Sequence, residues 1–163
     1  MKTALLAAVL LIPLSVPLAA LAQPATPPPV KLFSSAADVQ ALIADAKARN
    51  TGGNTSGVIG NVQGYPIMME YRSTTTPPSI HPKQAELIEI LDGSCTIITG
   101  GTLIGVKPGN PGANTLGGTA IEGGAARKLA KGDYILVPAN TPHQYTEVQG
   151  LAMMTVHMPV DAK

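Results

Sequence analysis

The sequence has no tryptophan, one phenylalanine and four tyrosines. So few rings exclude stacking platforms for bases or sugars, and a core has to be built from Val, Ile, Leu, Met and Ala. A single cysteine, Cys95, excludes an intrachain disulfide. It lies in the strand-like run Cys95-Thr96-Ile97-Ile98 and reads as a small buried hydrophobe rather than a reactive thiol. A surplus of charge is also lacking. Eleven Lys and Arg stand against ten Asp and Glu, and one of the eleven, Lys2, falls in the leader described next, so the remainder balances. Nothing in that balance draws nucleic acid or an anionic membrane surface.

An uninterrupted membrane-length apolar run is absent too, because Pro13 and Pro17 break the stretch that begins at Ala4. Lys2, the apolar residues up to Val16 and then Ala20-Leu21-Ala22 have the order of a secretory signal peptide. Residues 1–22 are expected to be removed after Ala22, leaving a periplasmic or secreted protein with no stable membrane association. Residues 23–34 include Pro24, Pro27, Pro28 and Pro29, which withhold backbone donors and favour an extended tether. One domain over residues 35–160 is expected to follow.

Ser35 and Asp38 have capping-box spacing, and Val39, Leu42, Ile43 and Ala46 recur at helical intervals until Asn50 and Gly52-Gly53. The pattern predicts one helix over 36–49. From Ser56 onward short runs of Val, Ile, Thr, Met and Tyr alternate with Gly, Pro and Asn, which predicts an all-β remainder arranged as an antiparallel meander. Strands are expected near 58–62, 66–72, 86–91, 95–99, 102–106, 127–130, 134–137, 144–148 and 151–157, with turns at Asp92-Gly93 and Gly100-Gly101. Gly100 to Gly124 holds nine glycines and reads as a long surface loop, the alternative being a lid over a barrel mouth.

Three histidines stand at suggestive places: His81 ends a Pro-rich loop, His143 follows Pro142, and His157 lies in the last expected strand. Loop-to-strand junctions at the rim of a small barrel aim side chains into its mouth. The stretches Glu86 to Gly93 and Gly132 to His143 resemble the two sequence motifs of the cupin superfamily. Glu86 and Gly93 have the separation of the first motif, with His81 at the place of its second histidine. Gly132, Pro138 and His143 fit the second. Two positions depart from the pattern. Ser79 stands where the first motif has its leading His, and Asn140 replaces a Gly of the second, a mild change because Asn tolerates the left-handed backbone.

The resemblance implies a small antiparallel β-barrel, or jelly roll, with one N-terminal helix. It also implies a divalent transition metal (Fe, Mn, Ni or Zn) held by His81, Glu86 and His143. Two neutral imidazoles and a carboxylate suit such ions and leave positions open for water, substrate or dioxygen. An anionic Glu86 inside a barrel is also costly without a cation. Tyr145 shares strand parity with His143 and offers a phenolic hydrogen bond to a substrate, with barrel filling as the competing role. His157 is either an acid–base group or a satisfied core histidine. Lys83, Gln84 and Arg72 either reach an anionic substrate or stay in solvent. The expected function is therefore a metal-dependent enzyme on a small organic substrate, of isomerase, lyase, dehydratase or dioxygenase type. The alternative is a non-catalytic binding or sensing cup that has lost its metal at Ser79. Pairing of barrels into a homodimer is compatible with either.

Overall fold

The computed structural model describes residues 30–62, 65–109 and 114–160. The expected signal peptide and residues 23–29 of the expected tether lie outside them, as does Pro111 of the Gly-rich stretch. The end of that tether rests on the domain: Lys31 pairs with Asn61 through two backbone hydrogen bonds, and the Ser34 hydroxyl donates to the Ile59 carbonyl at 2.6 Å.

Helix α1 spans Ala36–Arg49, as the periodicity predicts, and starts with the expected capping box. The Ser35 Oγ accepts from the Asp38 amide, while the Asp38 carboxylate accepts from the Ser35 amide. Its buried residues Ile43 and Ala46 pack against Met69, Tyr71 and Ala152. Burial of that stripe, rather than helix propensity, is what holds so short a helix in place.

Eleven strands follow among the described residues: β1 (Asn54–Val62), β2 (Tyr65–Arg72), β3 (Ser79–Ile80), β4 (Gln84–Thr99), β5 (Thr102–Ile104), β6 (Lys107–Pro108), β7 (Leu116–Gly117), β8 (Ala120–Glu122), β9 (Ala125–Ala130), β10 (Tyr134–Val137) and β11 (His143–Pro159). All pairings are antiparallel, and the whole is a small all-β jelly roll with one helix. It is not a meander. Strand β4 pairs with β9, β10 and β11, and β11 also pairs with β2 and β3, so chain neighbours are often not sheet neighbours.

Four of the expected strands merge into two. Asp92-Gly93 does not reverse the chain, because residues on both sides of it pair with the same partner, β11. The long β4/β11 ladder instead loses register there. Gly93 (φ 72°) faces Gly150 (φ 56°), and a Cβ on Gly93 would lie 2.3 Å from the Gly150 carbonyl oxygen. The same crossing joins the runs expected at 144–148 and 151–157.

The Gly-rich stretch is not a plain surface loop. β5 pairs with β8, while β6 pairs with β7 and β7 with β3, so the excursion folds on itself and is sewn to the sheet beside Ser79. Strand alternation divides the apolar residues between two faces. Ile88, Ile90, Cys95, Ile97, Leu129, Val137, Tyr145, Leu151 and Met153 fill the interior. Met69 and Tyr71 face α1, which leaves Glu70 and Arg72 on the opposite side of β2, toward a cavity. Cys95 is buried in the core as expected, its thiol pushed up to about 11 by burial.

Candidate metal centre

The cavity measures about 750 Å³ and is lined in part by residues of β2, β3, β4 and β11. Among them is Glu86, 3 % exposed, near the start of β4. His81 follows β3 in the loop that Pro82 continues; His143 opens β11 and His157 nearly closes it. The two motif segments are bonded to each other, since the Asn140 amide donates to the His81 carbonyl at 2.9 Å. Asn140 takes the left-handed conformation (φ 57°) that its motif position demands.

Around the Glu86 carboxylate lie three imidazole nitrogens. His143 Nε2 is 3.3 Å from Oε2, His81 Nε2 is 3.8 Å from Oε2, and His157 Nε2 is 3.8 Å from Oε1. Donor atoms bound about 2.1 Å from one ion are separated by roughly 3 to 3.5 Å, so these spacings are close to those of a coordination shell. Ligand atoms of His81, Glu86 and His157 all lie within 4.8 Å of one another. His143 is outside that mutual group, although its Nε2 approaches Glu86 Oε2 at 3.3 Å.

Hydrogen bonds fix two of the rings. His143 Nδ1 lies 3.3 Å from the Thr141 carbonyl oxygen, which can only accept, so that nitrogen carries the proton and Nε2 keeps its lone pair. The Ser79 hydroxyl then donates to Nε2 at 3.3 Å. His81 Nδ1 is 3.2 Å from Thr115 Oγ1, on the segment that returns from the Gly-rich excursion. His157 Nδ1 is buried and has no hydrogen-bond partner among the described residues.

Electrostatics favour a cation here. Burial, and secondarily the negative charge of Glu70, pushes the Glu86 carboxyl up to about 8, with Arg72 opposing. Burial pulls His81 down to about 3, helped by His157, His143 and Arg72. His143 falls to about 4 and His157 is lowered as well, burial being the main cause for both. Near neutral pH the histidines are thus unprotonated donors, and Glu86 is a carboxyl that ionises readily only if a positive charge arrives. Its Oε2 is buried without a hydrogen bond. The residues present therefore fit a divalent transition metal, by donor type, spacing and the orphaned oxygen.

The sequence leaves His157 as either an acid–base group or a satisfied core histidine; the structure puts it as close to Glu86 as His81 is, at 3.8 Å. Tyr145 does not reach the cavity. It is 2 % exposed, its ring lies 6.1 Å from that of His143, and its hydroxyl has no hydrogen-bond partner among the described residues. Burial raises its pKa, so it stays a phenol. Lys83 is exposed and does not line the cavity, whereas Gln84 and Arg72 do. Sequence reasoning missed the Glu70–Arg72 pair at 2.8 Å. The signal available was that both charged residues share one strand parity beside the apolar Met69 and Tyr71.

No protein-family model matches the chain, and no curated protein sequence matches it. Solved structures do. A hydroquinone 1,2-dioxygenase, PnpCD, in complex with Cd2+ and 4-hydroxybenzonitrile is 16% identical, with 83% of each chain covered and a TM-score of 0.55. A cupin-2 domain, Rru_A2000 from Rhodospirillum rubrum, is 14% identical over 69% of this chain and 64% of that one, with a TM-score of 0.47. KdgF from Halomonas sp. is 11% identical over 69% of this chain and 85% of that one, also with a TM-score of 0.47. The likeness to the dioxygenase chain shows a shared fold, the small antiparallel jelly roll described above.

Proposed function

We propose that this protein is a metal-dependent cupin enzyme that acts on a small organic substrate, with one divalent transition ion held by His81, Glu86, His143 and His157. The observation that carries this reading is the Glu86 carboxylate, buried with an unbonded oxygen and ringed by three imidazole Nε2 atoms at 3.3 to 3.8 Å. Such a group is costly without a cation and favourable with one. The hydroquinone dioxygenase of similar fold is a protein seen with a divalent ion, Cd2+, which supports the same use of the barrel. His157 takes over the share of the site that Ser79 cannot supply, so the serine does not by itself imply a metal-free cup.

When bound, the ion supplies Lewis acidity toward a carbonyl or hydroxyl oxygen, or a place for dioxygen if it is iron. The chain's own residues do the rest. His143 is held in one tautomer by the Thr141 carbonyl, and His81 is oriented by Thr115, so both present Nε2 inward. Export through residues 1–22 places the enzyme in the periplasm or outside the cell.

The test is elemental analysis of the full chain purified without chelator, followed by reconstitution. About one equivalent of a transition ion, lost in Glu86→Ala and His143→Ala, supports the proposal. Absence of bound ion after reconstitution with Fe(II), Mn(II), Ni(II) and Zn(II) would leave a metal-free binding cup.

A further inference from the structure

Arg72 is the one Lys or Arg among the described residues lining the cavity, whose acidic side chains are Glu70 and Glu86. Glu70 already accepts three hydrogen bonds from the protein. Its Oε2 accepts from Arg72 and from Asn54 Nδ2, both at 2.8 Å, and its Oε1 accepts from the Thr155 hydroxyl at 3.3 Å. Arg72 is held just as firmly: one terminal nitrogen donates to Glu70, the other to Thr76 Oγ1 at 3.0 Å, and the guanidinium carbon lies 4.7 Å from the Tyr145 ring centroid. Each terminal nitrogen uses one hydrogen in these bonds and carries a second, and the buried Nε has no acceptor among the described residues. The guanidinium is therefore positioned by its neighbours with donor capacity to spare.

Charge decides what it can receive. If the metal reading above is right, the imidazoles bind as neutral donors, the carboxylates of Glu86 and Glu70 cancel the two charges of the ion, and Arg72 leaves one positive charge uncompensated in a half-enclosed site. A single surplus charge in a poorly solvated cavity favours a monoanion over a neutral molecule or a dianion. A planar fork of N–H donors matches a carboxylate. We infer that the substrate is a small monocarboxylate, its carboxylate received by Arg72 while the rest of the molecule extends toward Glu86 and the three histidines. This rests on the proposed metal centre and adds to it the class of molecule admitted and the residue that selects it.

The experiment uses the full chain loaded with Co(II), with occupancy confirmed by elemental analysis and the fold by circular dichroism. Binding of propionate and of propionamide is measured by calorimetry. Propionate is expected to bind at least about tenfold more tightly than the amide. Arg72→Gln weakens propionate by about tenfold or more, whereas Glu70→Gln, which frees the guanidinium from its partner, tightens it several-fold. A residue with a structural role alone does not produce opposite signs in the two variants. The double variant Glu70→Gln with Arg72→Gln keeps the pair's net charge at zero, guards against misfolding from a lone buried charge, and remains weak.

Equal binding of acid and amide overturns the inference. Full propionate affinity in the double variant also overturns it, because the carboxylate then sits on the ion alone. Tighter Arg72-dependent binding of inorganic phosphate overturns the monocarboxylate assignment. Failure of Co(II) to bind sinks the metal reading and this inference together; cobalt binding with indifference to propionate sinks only the inference.

Discussion

Glu86 and His157 face each other across the β4/β11 ladder as register partners, with His157 Nε2 3.8 Å from Glu86 Oε1. One long strand pair therefore delivers both the carboxylate and an imidazole, and main-chain hydrogen bonding fixes their separation.

If His157 is a ligand, His157→Ala lowers the affinity for Zn(II) by about tenfold or more, an effect at least as large as loss of a group that only orients a ligand. Competition titration against a chromogenic chelator measures it. Unchanged affinity combined with a lost proton-transfer step would return His157 to an acid–base role.

The metal-free protein should be most stable near about pH 7. Below that value the unfolded histidines take up protons, while folded His81 and His143 resist down to about 3 and about 4, so stability falls as pH drops. Between 4.5 and about 8 the unfolded Glu86 has lost its proton and the folded one has kept it, so this group makes stability fall as pH rises. Below about pH 7 the three histidines outweigh the single carboxyl. From about 7 to 8 the carboxyl outweighs what is left of the histidine contribution, so stability falls by a fraction of the roughly 1.4 kcal/mol per pH unit that one proton would give. Thermal melts after chelator treatment should show a shallow decline from about 7 to 8 that saturating metal removes. A flat profile would contradict the placement of Glu86.

Two glycines with similar φ should respond differently. Gly93→Ala drives a Cβ to 2.3 Å from the Gly150 carbonyl at φ 72°, whereas Gly100→Ala at φ 78° meets nothing within 4 Å. The first should cost about 3 kcal/mol or more, and the second about 1 to 2 kcal/mol from backbone strain alone. Urea denaturation of both variants separates the two terms. Equal losses would mean that the β4/β11 crossing is looser than described.

Tyr145→Phe removes a buried hydroxyl without a hydrogen-bond partner among the described residues. Stability should stay within about 1 kcal/mol of the parent or rise, since no bond is lost and a desolvated polar group is removed. Metal content should not change. A loss above about 2 kcal/mol would reveal a partner for that oxygen, because such a cost follows breaking a buried hydrogen bond.

The helix, with its box of Ser35 and Asp38, was fully legible because caps and periodicity are local signals. Most strand positions were legible for the same reason. Their pairing was not: Asp92-Gly93 is a hairpin signal on its own, and only the common partner β11, some fifty residues away, turns it into an irregularity within one strand. At the site, His81, Glu86 and His143 could be picked out by motif spacing. His157 could not be assigned as a ligand, because its closeness to Glu86 is a matter of register between β4 and β11. Arg72 remained ambiguous until Glu70, Thr76 and Tyr145 were seen to enclose it.

The Thr115 hydroxyl on His81 Nδ1 ties the glycine-rich excursion to the geometry of the candidate metal centre. Shortening or exchanging residues 105–119 would leave every proposed ligand in the chain and most of the sheet untouched. Yet the His81 ring would lose its tether and be free to swing about χ2, so a lesion far outside both motifs would register as a slackened grip on the ion.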